Sequence, residues 1–242
     1  MNAIEIKNLT KVYGKLTAVD RLNLTVARGE LLSLLGINGA GKSTTVKMLS
    51  CLSKPTSGDA YLLGHSILNH SAQVKAMIGV SPQETAIAPN LTAEENLALM
   101  CGVHGFDRVK TTARVTELCE RFSLSTIMNR KAGKLSGGWQ RRLSIAMALI
   151  SEPKILFLDE PTLGLDVIAR AELWEIIRAL KGNTTVILTT HYMEEAEALS
   201  DRIAIMKDGH LLTLGTADEI KAATGKDKFE DAFVAVVKGE TR

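Results

Sequence analysis

The sequence predicts an α/β protein: a mainly parallel, helix-covered sheet with a small antiparallel β region at the N-terminus and a helical subdomain inserted into the core. Two observations carry this. Short apolar runs that read as buried strands (LLSLLG, KILFLDEP, TTVILTTH) occur with helical patterns such as VIARAELWEIIRALK between them, and strand–helix alternation of this kind builds a parallel sheet. Between Pro89 and Ile150 the strand signals stop, and three helix-like segments follow one another.

Taken in order, residues 3–35 alternate and turn as β structure does, with Gly14 and Arg28-Gly29 as punctuation. LLSLLG runs into a Gly-rich loop at Gly36, and KSTTVKMLSCL behind it has helical spacing at Thr45, Met48, Leu49 and Leu52. SGDAYLLG and AMIGVSPQ read as short strands. TAEENLALMCGVHG, VKTTARVTELCERF and GWQRRLSIAMALI read as the helices of the inserted subdomain, about 88–150, with Thr92 and Glu95 spaced as a capping box. Strands return with KILFLDEP, TTVILTTH and RIAIMKDGHLLTLG, and a short helical tail is expected from about residue 226. The whole chain, 1–242, reads as one domain.

Composition excludes several classes. With 45% hydrophobic and 23% charged residues the chain can fill a core, so global disorder is not expected. The net charge of +2 is spread without a Lys/Arg block, so no nucleic-acid partner is expected. Cys51, Cys101 and Cys119 form no CxxC pair and read as reduced thiols of a cytosolic protein. MNAIEIKNLTKVYG carries charges where a signal peptide needs an apolar stretch, and no apolar run approaches the ~20 residues of a membrane span.

Two motifs carry chemistry. Gly36-Ile37-Asn38-Gly39-Ala40-Gly41-Lys42-Ser43-Thr44 matches GxxxxGK[ST], after a buried strand and before a helix. Its glycines let backbone N–H groups curl around a polyphosphate, and the helix N-terminus adds partial positive charge. Lys42 would reach the β- and γ-phosphates, and the Ser43 hydroxyl would ligate Mg²⁺. Downstream, the apolar strand ILFLD ends in Asp159-Glu160-Pro161, at the carboxyl edge where open α/β sheets bind ligands. Asp159 is the candidate Mg²⁺ partner, and Glu160 the candidate to orient or deprotonate an attacking water. Alone, a DE pair would be an acidic turn; paired with a phosphate loop it reads as the second half of a P-loop NTPase site.

Leu135-Ser136-Gly137-Gly138-Trp139-Gln140-Arg141-Arg142 resembles the LSGGQ signature of the ABC ATPases, and the resemblance spans nearly the whole chain. It implies further assignments. Tyr13 stands where the family has its adenine-stacking aromatic, with Val19 shortly after; Gln83 in GVSPQE matches the Q-loop; Leu163-Gly164-Leu165-Asp166 the D-loop; His191 in TTHYMEEAE the switch histidine. The resemblance gives Gln83 a Mg²⁺ or water contact, and His191 the γ-phosphate and Glu160's water. In the family two cassettes pack head to tail, so Ser136 and Gly138 would serve the partner's γ-phosphate and a twofold homodimer would hold two composite sites. Outside this context, an SGG is a helix cap, a lone His a core or capping residue, Tyr13 an ordinary strand aromatic and Gln83 a structural amide. The signature departs from the family at Trp139, where Gln is usual; that puts the dimer seam and nucleotide affinity in question rather than the phosphate contacts.

The resemblance therefore implies an ATP-hydrolysing, Mg²⁺-dependent subunit of a transporter, peripheral on the inner face of the cell membrane and working through a separately encoded permease. The chain closes soon after the cassette, and MEEAEALSDRIAIMKDGHLLTLGT and FEDAFVAVV resemble exporters of drugs, lipids or polysaccharides. Ile87, Leu91, Leu97, Leu99 and Met100 are candidates for the groove that receives the permease. The rival from another class is a soluble ABC ATPase on a non-membrane partner, though neither a long coiled coil nor a second cassette is present. A non-hydrolysing switch is disfavoured by Glu160 and His191, and a P-loop kinase or GTPase by the signature.

Overall fold

The computed structural model describes residues 1–240. Two sheets organise it. The first joins β1 (Asn2–Tyr13), β2 (Leu16–Ala27), β4 (Ser57–Leu62) and β5 (His65–Ser66) in the order β2-β1-β4-β5, all antiparallel. The second takes β3 (Leu31–Leu35), β6 (Ile78–Ser81), β7 (Ile155–Asp159), β8 (Thr185–Thr190), β9 (Arg202–Lys207) and β10 (His210–Gly215) in the order β10-β9-β3-β8-β7-β6. Every pairing in it is parallel except the β9–β10 hairpin. β3, β7 and β8 are buried along their whole length, which is why they read as unbroken apolar runs rather than alternating ones.

The helices are α1 (Lys42–Leu49), α2 (Ser71–Met77), α3 (Ala93–Val103), α4 (Arg108–Arg121), α5 (Gly137–Ala148), α6 (Val167–Arg178), α7 (Met193–Leu199), α8 (Ala217–Thr224) and α9 (Phe229–Lys238). One core cluster joins α3, α4 and α5 through Leu97, Leu118, Phe122 and Leu143 and continues onto β7 at Leu156 and Leu158. A second lies between the two sheets, around Leu9, Leu22, Leu34, Met48 and Phe157, and a third seats α9 on β9 through Phe229, Phe233 and Ile205. The Thr92/Glu95 capping box forms as its spacing predicts, with Glu95 N–H donating to Thr92 Oγ1 at 3.1 Å and Thr92 N–H to Glu95 Oε2 at 2.7 Å.

Two local readings need correction. α1 ends at Leu49 rather than reaching Leu52: Ser50 caps it, Cys51 takes a left-handed backbone at φ +58°, and Leu52 is turned out to solvent. Four short elements, β5, α2, α7 and α8, carry too few apolar residues to announce themselves by periodicity and are held by their tertiary neighbours.

Candidate functional site

The sheet order places the chemistry. β3, β8, β7 and β6 are successive parallel neighbours, so their carboxyl ends lie side by side at the ~4.8 Å strand spacing. From those four ends emerge the Gly36–Thr44 loop, His191, the Asp159–Glu160 pair and Gln83 respectively. A cleft of about 710 Å³ opens there, lined by Asn38 to Thr44, Gln83, Glu160, Leu163 and His191. The antiparallel sheet closes one side with Tyr13, Leu16, Thr17 and Ala18, and Asp208 of the β9–β10 turn adds a carboxylate.

Within the loop the glycines answer to close approach. At Gly41 (φ +100°) a Cβ would sit 2.5 Å from the Ala18 carbonyl oxygen, and at Gly36 one would collide with the Met206 carbonyl. Lys42 is buried and donates from Nζ to the carbonyls of Gly36 at 2.7 Å and Ile37 at 3.3 Å. Its ammonium also lies 3.5 Å from Glu160 Oε1. Burial pushes the Lys42 pKa down, and the neighbouring Glu160 pulls it back up.

Glu160 is buried at φ +49°, a backbone strain of the kind that gathers at functional sites. Thr189 holds it there: Glu160 N–H donates to Thr189 O at 3.1 Å and to Thr189 Oγ1 at 3.0 Å. On the other side, His191 Nδ1 lies 2.6 Å from Glu160 Oε2. Ser43 Oγ donates to Asp159 Oδ1 at 2.9 Å, and Thr189 Oγ1 donates to the same oxygen. Ser43 and Gln83 line the cleft, and Asp159 lies just behind the lining, bonded to Ser43; these hard oxygen donors fit Mg²⁺ bound jointly with phosphate.

The structure brings together most of the residues the sequence singled out, but not all. Val19 is fully buried and does not line the cleft; Ala18 does, because successive residues of β2 face opposite sides. Val19 packs behind Gly41 instead, its Cγ2 lying 3.2 Å from where a Cβ there would be. Gly36 and Ile37 also lie outside the lining and contribute carbonyls to Lys42. Ser136, exposed, is the N-cap residue of α5 with no side-chain cap bond, and neither it nor Gly138 lines the cleft. Asp166 caps α6 by accepting from Ala169 N–H at 2.9 Å, also outside the cleft.

Sequence reasoning missed three groups. Thr189 left a signal, a polar pair, Thr189 and Thr190, closing an apolar strand immediately before His191. Arg141 stood inside the quoted signature without a role, yet its guanidinium reaches the carbonyls of Pro82, Gln83 and Glu160. Glu195 left none: a fully buried carboxyl behind His191, with Trp174 Nε1 donating to its Oε1 at 3.1 Å.

Residues 19–163 match the model of the ABC transporter family. The chain belongs to that family. It is an ATP-binding protein and an ATPase of the ABC class. It is 44% identical to the daunorubicin resistance ATP-binding protein DrrA3 of Streptomyces coeruleorubidus, over 94% of this chain and 72% of that one. To the doxorubicin resistance ATP-binding protein DrrA of Mycobacterium tuberculosis it is 39% identical, over 97% and 70%. Among solved structures, the ATP-binding subunit of an ABC transporter superposes with a TM-score of 0.86 at 28% identity, covering 97% of this chain and 99% of that one. An ATP-binding cassette solved as a dimer in a post-hydrolysis state with ADP and Pi gives a TM-score of 0.80 at 30% identity, covering 88% and 98%. No helix among the described residues is long and apolar enough to cross a membrane.

Proposed function

We propose that this chain is the motor subunit of a drug-exporting ABC transporter, in which two identical copies share two ATP sites and drive a separately encoded membrane permease. The observation that carries the reading is a division of the motifs. Lys42, Ser43, Gln83, Asp159, Glu160 and His191 gather at one cleft, while Ser136 and Gly138 stand outside it on the exposed N-terminus of a second helix. A helix N-terminus built for phosphate and set away from the chain's own phosphate loop is complete only against another copy. Exposed apolar side chains at the start of α6, Val167 (76% exposed) and Ile168 (72%), suit such a seam, since the neighbouring Ala169 approaches Gly138.

In this reading Tyr13 stacks the adenine ring. The loop from Asn38 to Thr44 wraps the phosphates with backbone N–H groups, and Lys42 sets its ammonium against the β- and γ-phosphates. Ser43 and Asp159, with Gln83 at the rim, would hold Mg²⁺, which supplies charge neutralisation of the phosphates. Glu160 aligns a water and takes its proton as the water oxygen bonds to the γ-phosphorus and the bond to ADP breaks. His191 fixes the Glu160 carboxylate through its Oε2. Ser136 and Gly138 of the second copy close over the γ-phosphate, and Asp166, at the cap of α6, lies along the same seam. The names of the relatives support export of drugs.

Glu160→Gln tests the chemistry. Removing the base while keeping the shape should leave the affinity for a fluorescent ATP analogue unchanged and lower turnover by about two to four decades. Turnover at the native rate would remove Glu160 from the role of base.

A further inference from the structure

Arg141, one turn into α5, joins parts of the molecule that the proposed mechanism uses separately. Its side chain is buried, and its contacts are carbonyl oxygens rather than a carboxylate. Nη1 donates to Pro82 O at 2.6 Å; Nη2 donates to Gln83 O at 2.5 Å and to Glu160 O at 3.4 Å. An arginine cannot shed its proton, and burying a cation without a paired carboxylate costs more than filling the same space with an apolar side chain. What the guanidinium offers in return is a rigid fork of donors that holds several carbonyls at once. Those carbonyls belong to the loop carrying Gln83 and to the residue carrying the carboxylate beside Lys42 and His191. Gly138 lies three residues earlier on the same helix, about 4.5 Å along its axis, at the end that stands outside the chain's own cleft.

The geometry points to Arg141 as a positioning residue that couples a chain's own ATP cleft to the site it completes on its partner. This rests on the shared-site reading above. When nucleotide draws Gln83 and the Glu160 backbone into place, the carbonyls on the fork move with them. The guanidinium follows, and α5 swings as a rod, re-aiming Ser136 and Gly138. Without the fork each chain would still bind ATP, but its signature end would no longer be set by the occupancy of its own cleft.

Arg141→Met removes the fork and keeps most of the volume. With the full chain, affinity for a fluorescent ATP analogue should stay within about threefold of native, while turnover falls at least about tenfold. In a Glu160→Gln background, where ATP is held, the same change should raise the ATP concentration needed for dimer formation by at least about tenfold. Arg141→Lys keeps the charge, reaches fewer carbonyls and should fall between. Native dimer formation by the Met variant, or an ATP affinity that falls in step with turnover, overturns the coupling and leaves Arg141 a brace of its own cleft. If the Met variant does not fold, the Lys variant decides. Poor dimer formation at native ATP affinity supports the coupling, and native dimer formation with native turnover overturns it. Glu160→Gln chains that stay monomeric at saturating ATP overturn the shared-site reading itself, and this inference with it.

Discussion

Two buried carboxyls stand behind the same sheet edge and are treated in opposite ways. Glu160 has a cation on one side and an imidazole on the other, Lys42 at 3.5 Å and His191 at 2.6 Å, so its charge is met where the mechanism needs it. Among the described residues, no cation contacts Glu195; Trp174 donates to one oxygen, while its Oε2 and the nearby buried Thr162 hydroxyl find no hydrogen-bond partner there. Burial therefore pushes the Glu195 carboxyl well above the usual carboxylate range. Between its ordinary value, about 4.3, and that raised value, the folded chain holds a proton that the unfolded chain has lost, so stability falls as pH rises across the window. Glu195→Gln keeps the acceptor for Trp174 and ends the titration. Urea unfolding should show this variant at least as stable as native at neutral pH, with a flatter profile as pH rises above the ordinary carboxylate value. A variant less stable than native at every pH would mean that Glu195 is ionised and paired in the folded chain.

At the scale of elements, the strand ends do the assembling, and this is the part the sequence makes legible. An apolar run closing on a phosphate loop, a carboxylate pair or a histidine marks a fully buried strand and the edge at which its cargo appears, whatever the order of strands. The order itself, β3-β8-β7-β6, was not legible, because pairing depends on crossovers that local pattern does not record. Nor was the choice of Ala18 over Val19, a matter of one residue's register along β2. α7 escaped because a seven-residue helix that buries a glutamate defies the amphipathic pattern. Trp139, the departure from the signature, now has a setting: its ring packs on the helical core and carries the Arg142 guanidinium 4.8 Å from its centroid, and Arg142 pairs with Glu172 on α6. The ring braces α5 against α6 and is absent from the cleft lining. Trp139→Gln should therefore cost about 1–2 kcal/mol of stability, through lost packing and cation–π attraction, while turnover stays within about threefold. Loss of turnover beyond about tenfold, or ~1.4 kcal/mol of barrier, with stability unchanged would place the ring in the working interface instead.

Across the whole molecule, the proposed transporter needs two outward surfaces if closing the cleft is to move anything: one toward a second copy and one toward a membrane partner. Of the five apolar residues first considered for the latter, Leu97 is 0% exposed, and Ile87 and Met100 pack against the helical core. Leu91, half-buried, and Leu99 (49% exposed) remain, and Val103 (70%) lies one turn along α3 from Leu99. Leu99→Glu with Val103→Glu should leave the ATPase rate of the isolated chain unchanged and abolish co-purification with the membrane subunit of the proposed transporter; unchanged co-purification would move the docking site off α3. The central claim, that each working site is completed by a second copy, is tested most directly by the dependence of ATPase activity on protein concentration. Specific activity at saturating ATP should rise in proportion to concentration wherever sedimentation finds the chain monomeric, and level off where it finds dimers. Specific activity that stays flat down to dilutions at which only monomers sediment would contradict the account, for the cleft of one chain would then hydrolyse ATP alone.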